Sequence, residues 1–226
     1  MSLTNKSEKS SAPPPARRRN RTRDALLTAG AALLAERPID ALSIDDIVHA
    51  AGVAKGSFYN HFADKTALAI AIGDSIRSDV VAMVAAANRD VADPAVRLAH
   101  GLCIYVDFAR HQTHRASIMA RNLDIGRDKF LGATTGLRQD LAAGLASGRF
   151  VLASVDAGTV FFMGVAHAAL ERILVTTGDS GHAARRDAAT LAQQQCAMVL
   201  KGLGLPHDES DRIAAQSAHV IIAAQA

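Results

Sequence analysis

The chain has 226 residues, a formal net charge of +3 and 49% hydrophobic residues, yet only 4% are aromatic and none is tryptophan. That length supplies core for one large domain or two small ones, and the alanine-rich, aromatic-poor mix favours closely packed helices. The longest weakly polar run, 157–166, stops at His167, short of the roughly 18 apolar residues of a membrane span, and Cys103 and Cys196 match no metal or redox spacing and read as reduced, buried thiols.

The positive charge is uneven. Lys6, Lys9, Arg17, Arg18, Arg19, Arg21 and Arg23 face Glu8 alone in a Ser- and Pro-rich leader. Residues 1–20 are therefore expected to be a disordered basic tail, a form that serves as an arm on nucleic acid. Arginines before "DALLTAGAALLA" also suggest a twin-arginine export signal. Asp24 interrupts that junction, and Leu26, Gly30, Leu33 and Leu34 form a stripe, which an export signal does not need and an amphipathic helix does.

A first helix is expected over 22–37, ending before Pro38. Ser43 has the chemistry of an N-cap, with Asp46 placed to reach back in a capping box and Leu42 and Ile47 at staple positions. A short second helix then turns Ile44, Ile47, Val48 and Ala51 inward. Gly52 suits a turn that needs positive φ, and a further short helix carries Phe58 and Phe62 on its buried side. Helix, glycine turn, helix is the helix-turn-helix pattern. It leaves Lys55, Gly56, Ser57, Tyr59, Asn60 and His61 on the other faces.

The run "SIDDIVHAAGVAKGSFYNHFADKTAL", with the helix before it, resembles the DNA-binding domain of the tetracycline-repressor (TetR) family of bacterial transcription regulators. Ile47, Ala51, Gly52, Val53, Lys55, Gly56, Ser57, Phe58, Tyr59, His61, Phe62, Lys65, Ala67 and Leu68 carry the likeness, over roughly residues 21–70. It implies an all-α fold of about nine or ten helices: a three-helix DNA-binding unit over 21–66 and a ligand-binding, dimerising body over 67–226, joined by a helix at about 64–88. Lys55 would reach a phosphate or a guanine edge. Gly56 would admit close approach, Ser57 and Asn60 would meet base edges, and Tyr59 and His61 would grip phosphates. Ser43, Lys65, Arg17, Arg18 and Arg19 complete the expected DNA-binding set, with Asp64 capping the connecting helix. One departure stands out: Ala54 replaces the family's usual Ser or Thr, removing a cap and a possible phosphate contact.

Beyond residue 70 the chain reads as helices at about 93–112 (Asp93 as N-cap, Pro94 at N1), 127–147 with Phe130, Leu137, Leu141 and Leu145 on one stripe, 154–177, 183–203 and from 209 onward. The helices at 154–177 and 183–203 are apolar on more than one face. The resemblance makes them a four-helix dimer interface, expected on Gly158, Phe161, Val165, Leu191 and Met198. Candidate effector contacts are Cys103, Asp107, Leu137, Phe162, Met163 and His167. His111 and His114 sit three apart without a carboxylate or thiol to complete a metal set, and read as an exposed polar turn. There is no GxSxG, P-loop or GxGxxG motif, so no catalysis, metal or cofactor is expected. The reading is a cytoplasmic, dimeric regulator of operator DNA, released by an unknown small molecule, with no membrane partner. A ligand-independent DNA-binding dimer is the alternative, and an all-α enzyme a remote one.

Overall fold

The computed structural model describes residues 15–121, 134–176 and 182–223. Among them the chain is all-α, as expected, and no strand occurs. The helices are α1 (Pro15–Glu36), α2 (Ile44–Ala51), α3 (Lys55–Tyr59), α4 (Lys65–Ala87), α5 (Pro94–His111), α6 (Thr113–Arg121), α7 (Thr135–Ala146), α8 (Val155–Thr176), α9 (His182–Gly202) and α10 (His207–Ala218). Phe130, the break expected at 178–181 and residues 1–14 lie outside the described residues.

Local chemistry sets most boundaries. Ser43 Oγ accepts from the Asp46 N–H at 3.1 Å while Asp46 Oδ2 accepts from the Ser43 N–H at 2.9 Å, so the capping box that starts α2 is complete. Gly52 ends α2 at φ 64°, left-handed backbone that costs a residue with a Cβ far more than glycine. Asp64 accepts from the Ala67 N–H at 2.7 Å to cap α4, and Asp93 from the Ala95 N–H at 2.9 Å to cap α5 beside Pro94.

Three expectations are corrected. α1 begins at Pro15 rather than Thr22, so residues 15–20 are helical and not part of an unstructured tail; proline suits a first helical turn, and arginine is a good helix former. The stretch around His111 and His114 is exposed as expected, but it is a one-residue break between two helices and not an open turn. α5 ends at His111, and after one residue α6 sets off, with Thr113 Oγ1 bonding back to the carbonyls of Ala109 and Arg110. α8 is 22 residues long with a mean hydropathy of 1.4 over its most apolar window, so length and composition alone would let it span a membrane. In the fold, Phe162, Ala166, Ala169, Leu170 and Ile173 bury one face of it inside the protein.

The N-terminal core gathers Leu26 and Leu34 of α1, Ile47 of α2, Phe58 of α3, Phe62 from the turn after it and Leu68 of α4, all buried. α1 crosses α4 so closely that a Cβ on Gly30 would lie 2.9 Å from both Leu68 Cδ2 and Ile72 Cδ1. In the rest of the chain α5 is the hub. It is apolar nearly all round, with Leu98, Leu102, Val106 and Phe108 buried, and α4, α6, α7, α8, α9 and α10 pack around it. α6 touches both α1 and α4, and Arg121 Nη1 donates to the Ala35 carbonyl at 3.3 Å. The first unit is thus tied to the rest by two helices, α4 and α6.

Candidate functional site

The short helix α3 buries Phe58 and turns its other side outward. Lys55, Gly56, Tyr59 and Asn60 are exposed, with Ser57 and His61 half-buried. Tyr59 is 54% exposed, although its ring meets Phe58 edge-on at 5.5 Å between centroids. A large aromatic more than half exposed, on a helix held in place by the core, is a candidate contact group. A Cβ built on Gly56 meets nothing within 4 Å, so no intramolecular packing requires glycine there. Ala54 gives α3 no side-chain cap; the Ser57 N–H closes the turn on the Ala54 carbonyl at 2.8 Å.

Two residues expected on DNA are instead committed to the fold. The one Ser43 hydroxyl proton goes to Asp46 Oδ2 at 2.8 Å, which leaves nothing to donate to a phosphate. Lys65 Nζ donates to the carbonyls of Leu42 at 2.9 Å and Asp40 at 3.2 Å, fastening the start of α4 to the turn before α2 and using two of its three donors. Lys55 is engaged more loosely. Its ammonium pairs with Asp45 at 2.9 Å across an exposed surface, and that hydrogen bond raises its pKa. Arg23 lies over the Phe62 ring, 5.6 Å from its centroid. Arg19 is exposed on α1, while the side chains of Arg17 and Arg18 lie outside the described residues.

A cavity of about 300 Å³ opens between α4, α5, α7 and α8. Val80, Val84, Leu98, Leu137, Phe162 and Met163 form its apolar walls, and Asn88, Arg97, Tyr105, Thr134, Gln139 and Asp140 supply polar groups. A second cavity of about 230 Å³, lined by Arg77, Met119, His167 and Leu170, shares Tyr105 and Met163 with the first. Of the expected effector contacts, Leu137, Phe162, Met163 and His167 line one or both. Cys103 and Asp107 line neither. Cys103 is fully buried against Cys196, Sγ to Sγ 3.7 Å, across the α5–α9 contact. Asp107 pairs with Arg110 at 2.9 Å and His111 at 3.1 Å.

The polar residues of the larger cavity escaped the sequence reading because each belongs to a helix whose partners only the fold reveals. Arg97 and Asp140, 43 positions apart, form an ion pair on its wall. Burial raises the Asp140 pKa, against which Arg97 pulls it down. Asn88 donates to the Arg97 carbonyl at 3.2 Å, and its Oδ1 lies 2.9 Å from His100 Nδ1. Burial lowers the His100 pKa and raises that of Tyr105. The Tyr105 hydroxyl has no hydrogen-bond partner among the described residues.

On α8 and α9, Phe161 is 42% exposed and Met198 64%, beside Val160 at 75% and Val175 at 82%. Val165 and Leu191 are half-buried. Gly158 is buried within its own chain, where a Cβ would lie 3.0 Å from Leu152 and 3.3 Å from Leu141, so it is not available to a partner.

Residues 26–72 match the family model for bacterial regulatory proteins of the tetR family. The same residues hold the capping box, the glycine turn and α3. This stretch is a tetR-family DNA-binding domain. The fold of the chain as a whole follows solved structures of such regulators. RolR in complex with resorcinol is 25% identical, with 89% of this chain and 96% of that one covered and a TM-score of 0.60. KstR2 of Mycobacterium tuberculosis, a ketosteroid transcriptional regulator, is 24% identical, with 81% and 95% covered and a TM-score of 0.57. The fatty acid degradation regulator FadR from Bacillus halodurans is 17% identical, with 87% and 100% covered and a TM-score of 0.66, a likeness of fold. No curated protein matches the sequence. The matched domain and the fold are those of DNA-binding transcription regulators.

Proposed function

We propose that the chain is a homodimeric repressor, released from a palindromic operator when a small molecule enters the cavity beside α5. Residues 21–66 are the DNA-binding domain, 67–226 the ligand-binding and dimerisation domain, and α4 the connector. It acts in the cytoplasm and has no catalytic role. The observation that carries the reading is the course of α4. Its cap, Asp64, stands five residues after Tyr59, and its far end supplies Val80, Val81, Val84 and Ala85 to the cavity. At 1.5 Å per residue its 23 residues span roughly 35 Å. A ligand that binds one setting of that helix better than another biases where α3 lies.

The contact set proposed for DNA is Lys55, Gly56, Ser57, Tyr59, Asn60 and His61, with Arg19 reaching the flanking backbone. The exposed Val160, Phe161, Val175 and Met198 support a dimer through α8 and α9, since apolar side chains of this size on neighbouring helices gain by being covered. The dimer would set two α3 helices on half-sites about one DNA turn, roughly 34 Å, apart or a multiple of it. Resorcinol held by RolR supports a small organic effector here. A ligand-independent regulator would have no use for the cavity.

The test is a fluorescence-anisotropy titration of the purified chain with duplexes from the DNA flanking its own gene, over a series of salt concentrations. Affinity should fall linearly with salt on a double-logarithmic plot. Failure to bind any of these duplexes at low salt would remove the proposal.

A further inference from the structure

Resting on the effector-binding reading above, we propose that the larger cavity takes an uncharged molecule with an apolar ring and at least one hydroxyl group. The hydroxyl donates to Asp140 and accepts from Tyr105. Among the described residues that line this cavity, the only charged side chains are Arg97 and Asp140, and they are paired with each other. The described wall therefore presents one positive and one negative group already in contact, and no net charge. An anionic ligand would set a second negative charge beside Asp140, and a cationic one a second positive charge beside Arg97. Either leaves a charge uncompensated in a partly buried site.

A neutral hydroxyl adds no such charge. Arg97 bonds to Asp140 Oδ1, and Oδ2 accepts no hydrogen bond from any described residue. A carboxylate oxygen has lone pairs for more than one donor, so a ligand O–H can be added to the pair without breaking it. The Tyr105 hydroxyl, also without a hydrogen-bond partner among the described residues, can donate in return. Apart from Asn88, Thr134 and Gln139, the remaining walls are aliphatic and aromatic, with Val80, Val84, Leu98, Leu137, Phe162 and Met163 among them. They suit a flat hydrocarbon body, since pockets of this kind fix orientation with a few polar groups on an apolar lining. The second cavity, which shares Tyr105 and Met163, leaves room for a ligand larger than a single ring.

The experiment is isothermal calorimetry on the full chain without DNA, using phenol, resorcinol and 1-naphthol as hydroxylated probes. Toluene serves as the ring without a hydroxyl and benzoate as the ring with a charge. At least one hydroxylated probe should bind about tenfold or more tightly than toluene, and benzoate should not compete. Asp140→Asn should weaken the hydroxylated probes about tenfold and, by freeing Arg97, should strengthen benzoate; a merely structural role for Asp140 would not reverse the preference. Should that variant fail to fold, Tyr105→Phe carries the test, with a several-fold loss for the hydroxylated probes and none for toluene. Benzoate or toluene binding as well as the phenols, or an unchanged preference in the variants, overturns the assignment. So does an absence of phenol binding in a chain that still grips its operator. Phenol binding that leaves the operator complex intact would instead uphold this assignment and sink effector release.

Discussion

The Lys65 ammonium lies 2.9 Å from the Leu42 carbonyl oxygen, joining the first residue of α4 to the segment that leads into α2. A basic residue at the rim of the DNA-contacting helices therefore works first as a clamp on the backbone. Lys65→Met should lower unfolding free energy by about 1–2 kcal/mol, since a charged donor and two carbonyls lose their bonds. Urea melts would show this. DNA affinity, taken where the variant is fully folded, should fall less than in Tyr59→Ala.

Lys55 differs, because its partner Asp45 is itself exposed and competes with DNA phosphate. Asp45→Asn should tighten operator binding by up to about fivefold at low salt, by removing that competition and the repulsion between carboxylate and phosphate. Lys55→Ala should weaken binding and reduce the salt slope by about 1. Anisotropy titrations of both variants against the parent decide the matter, and a weaker Asp45→Asn complex would mean that the pair orients Lys55 for DNA.

Gly30 and Gly56 make a pair of opposites. Alanine at Gly30 gains helix propensity but drives a methyl to 2.9 Å from Leu68 and Ile72 in a filled core. The variant should lose about 1–3 kcal/mol, read from denaturant unfolding. Alanine at Gly56 meets no atom of its own chain, so the protein should be as stable as before or slightly more so. Its DNA affinity should drop if backbone and DNA meet there.

Acid should loosen the joint around Arg149. This guanidinium holds Asp93 and Glu209 at 2.8 Å each, tying the start of α5 to α10. For Asp93, burial pushes the pKa up, but the bonds from Arg149 and the Ala95 N–H outweigh it and hold the group below its ordinary 3.8. The Arg149 bond likewise holds Glu209 below 4.5. Both folded values are depressed, so the stabilisation is present above the ordinary values and is lost as pH falls through the folded ones. Arg149→Met should flatten the loss of melting temperature below about pH 5.

Met198→Lys should yield a monomer in sedimentation velocity at micromolar concentration, with helix content unchanged. A dimer that survives the substitution would move the proposed interface away from α9.

Features set by a few neighbouring residues could be read from the sequence. The Ser43–Asp46 box, the Gly52 turn, and the Asp64 and Asp93 caps depend on contacts within four positions, and residue types alone specify them. α6 was missed because no glycine or proline separates it from α5; the turn is made by Thr113 bonding back into the preceding helix. The cavity was half-seen. Phe162 and Met163 stood out by type, but the Arg97–Asp140 pair exists only because α5 and α7 meet. Gly158 and Phe161 lie on one helix, and a helix apolar on two faces does not say which face stays inside the chain.

The crossing at Gly30 has a mechanical consequence. With no side chain on Gly30, Leu68 and Ile72 of α4 pack directly on the α1 backbone, which resists sliding of α1 along α4. A tilt imposed at Val80 or Val84 would then be passed on to the unit that holds α3. If α6 holds α1 in place through Arg121 and Ala35, that tilt must bend or break this second attachment. The response of the protein to its ligand would then be a step and not a gradual drift.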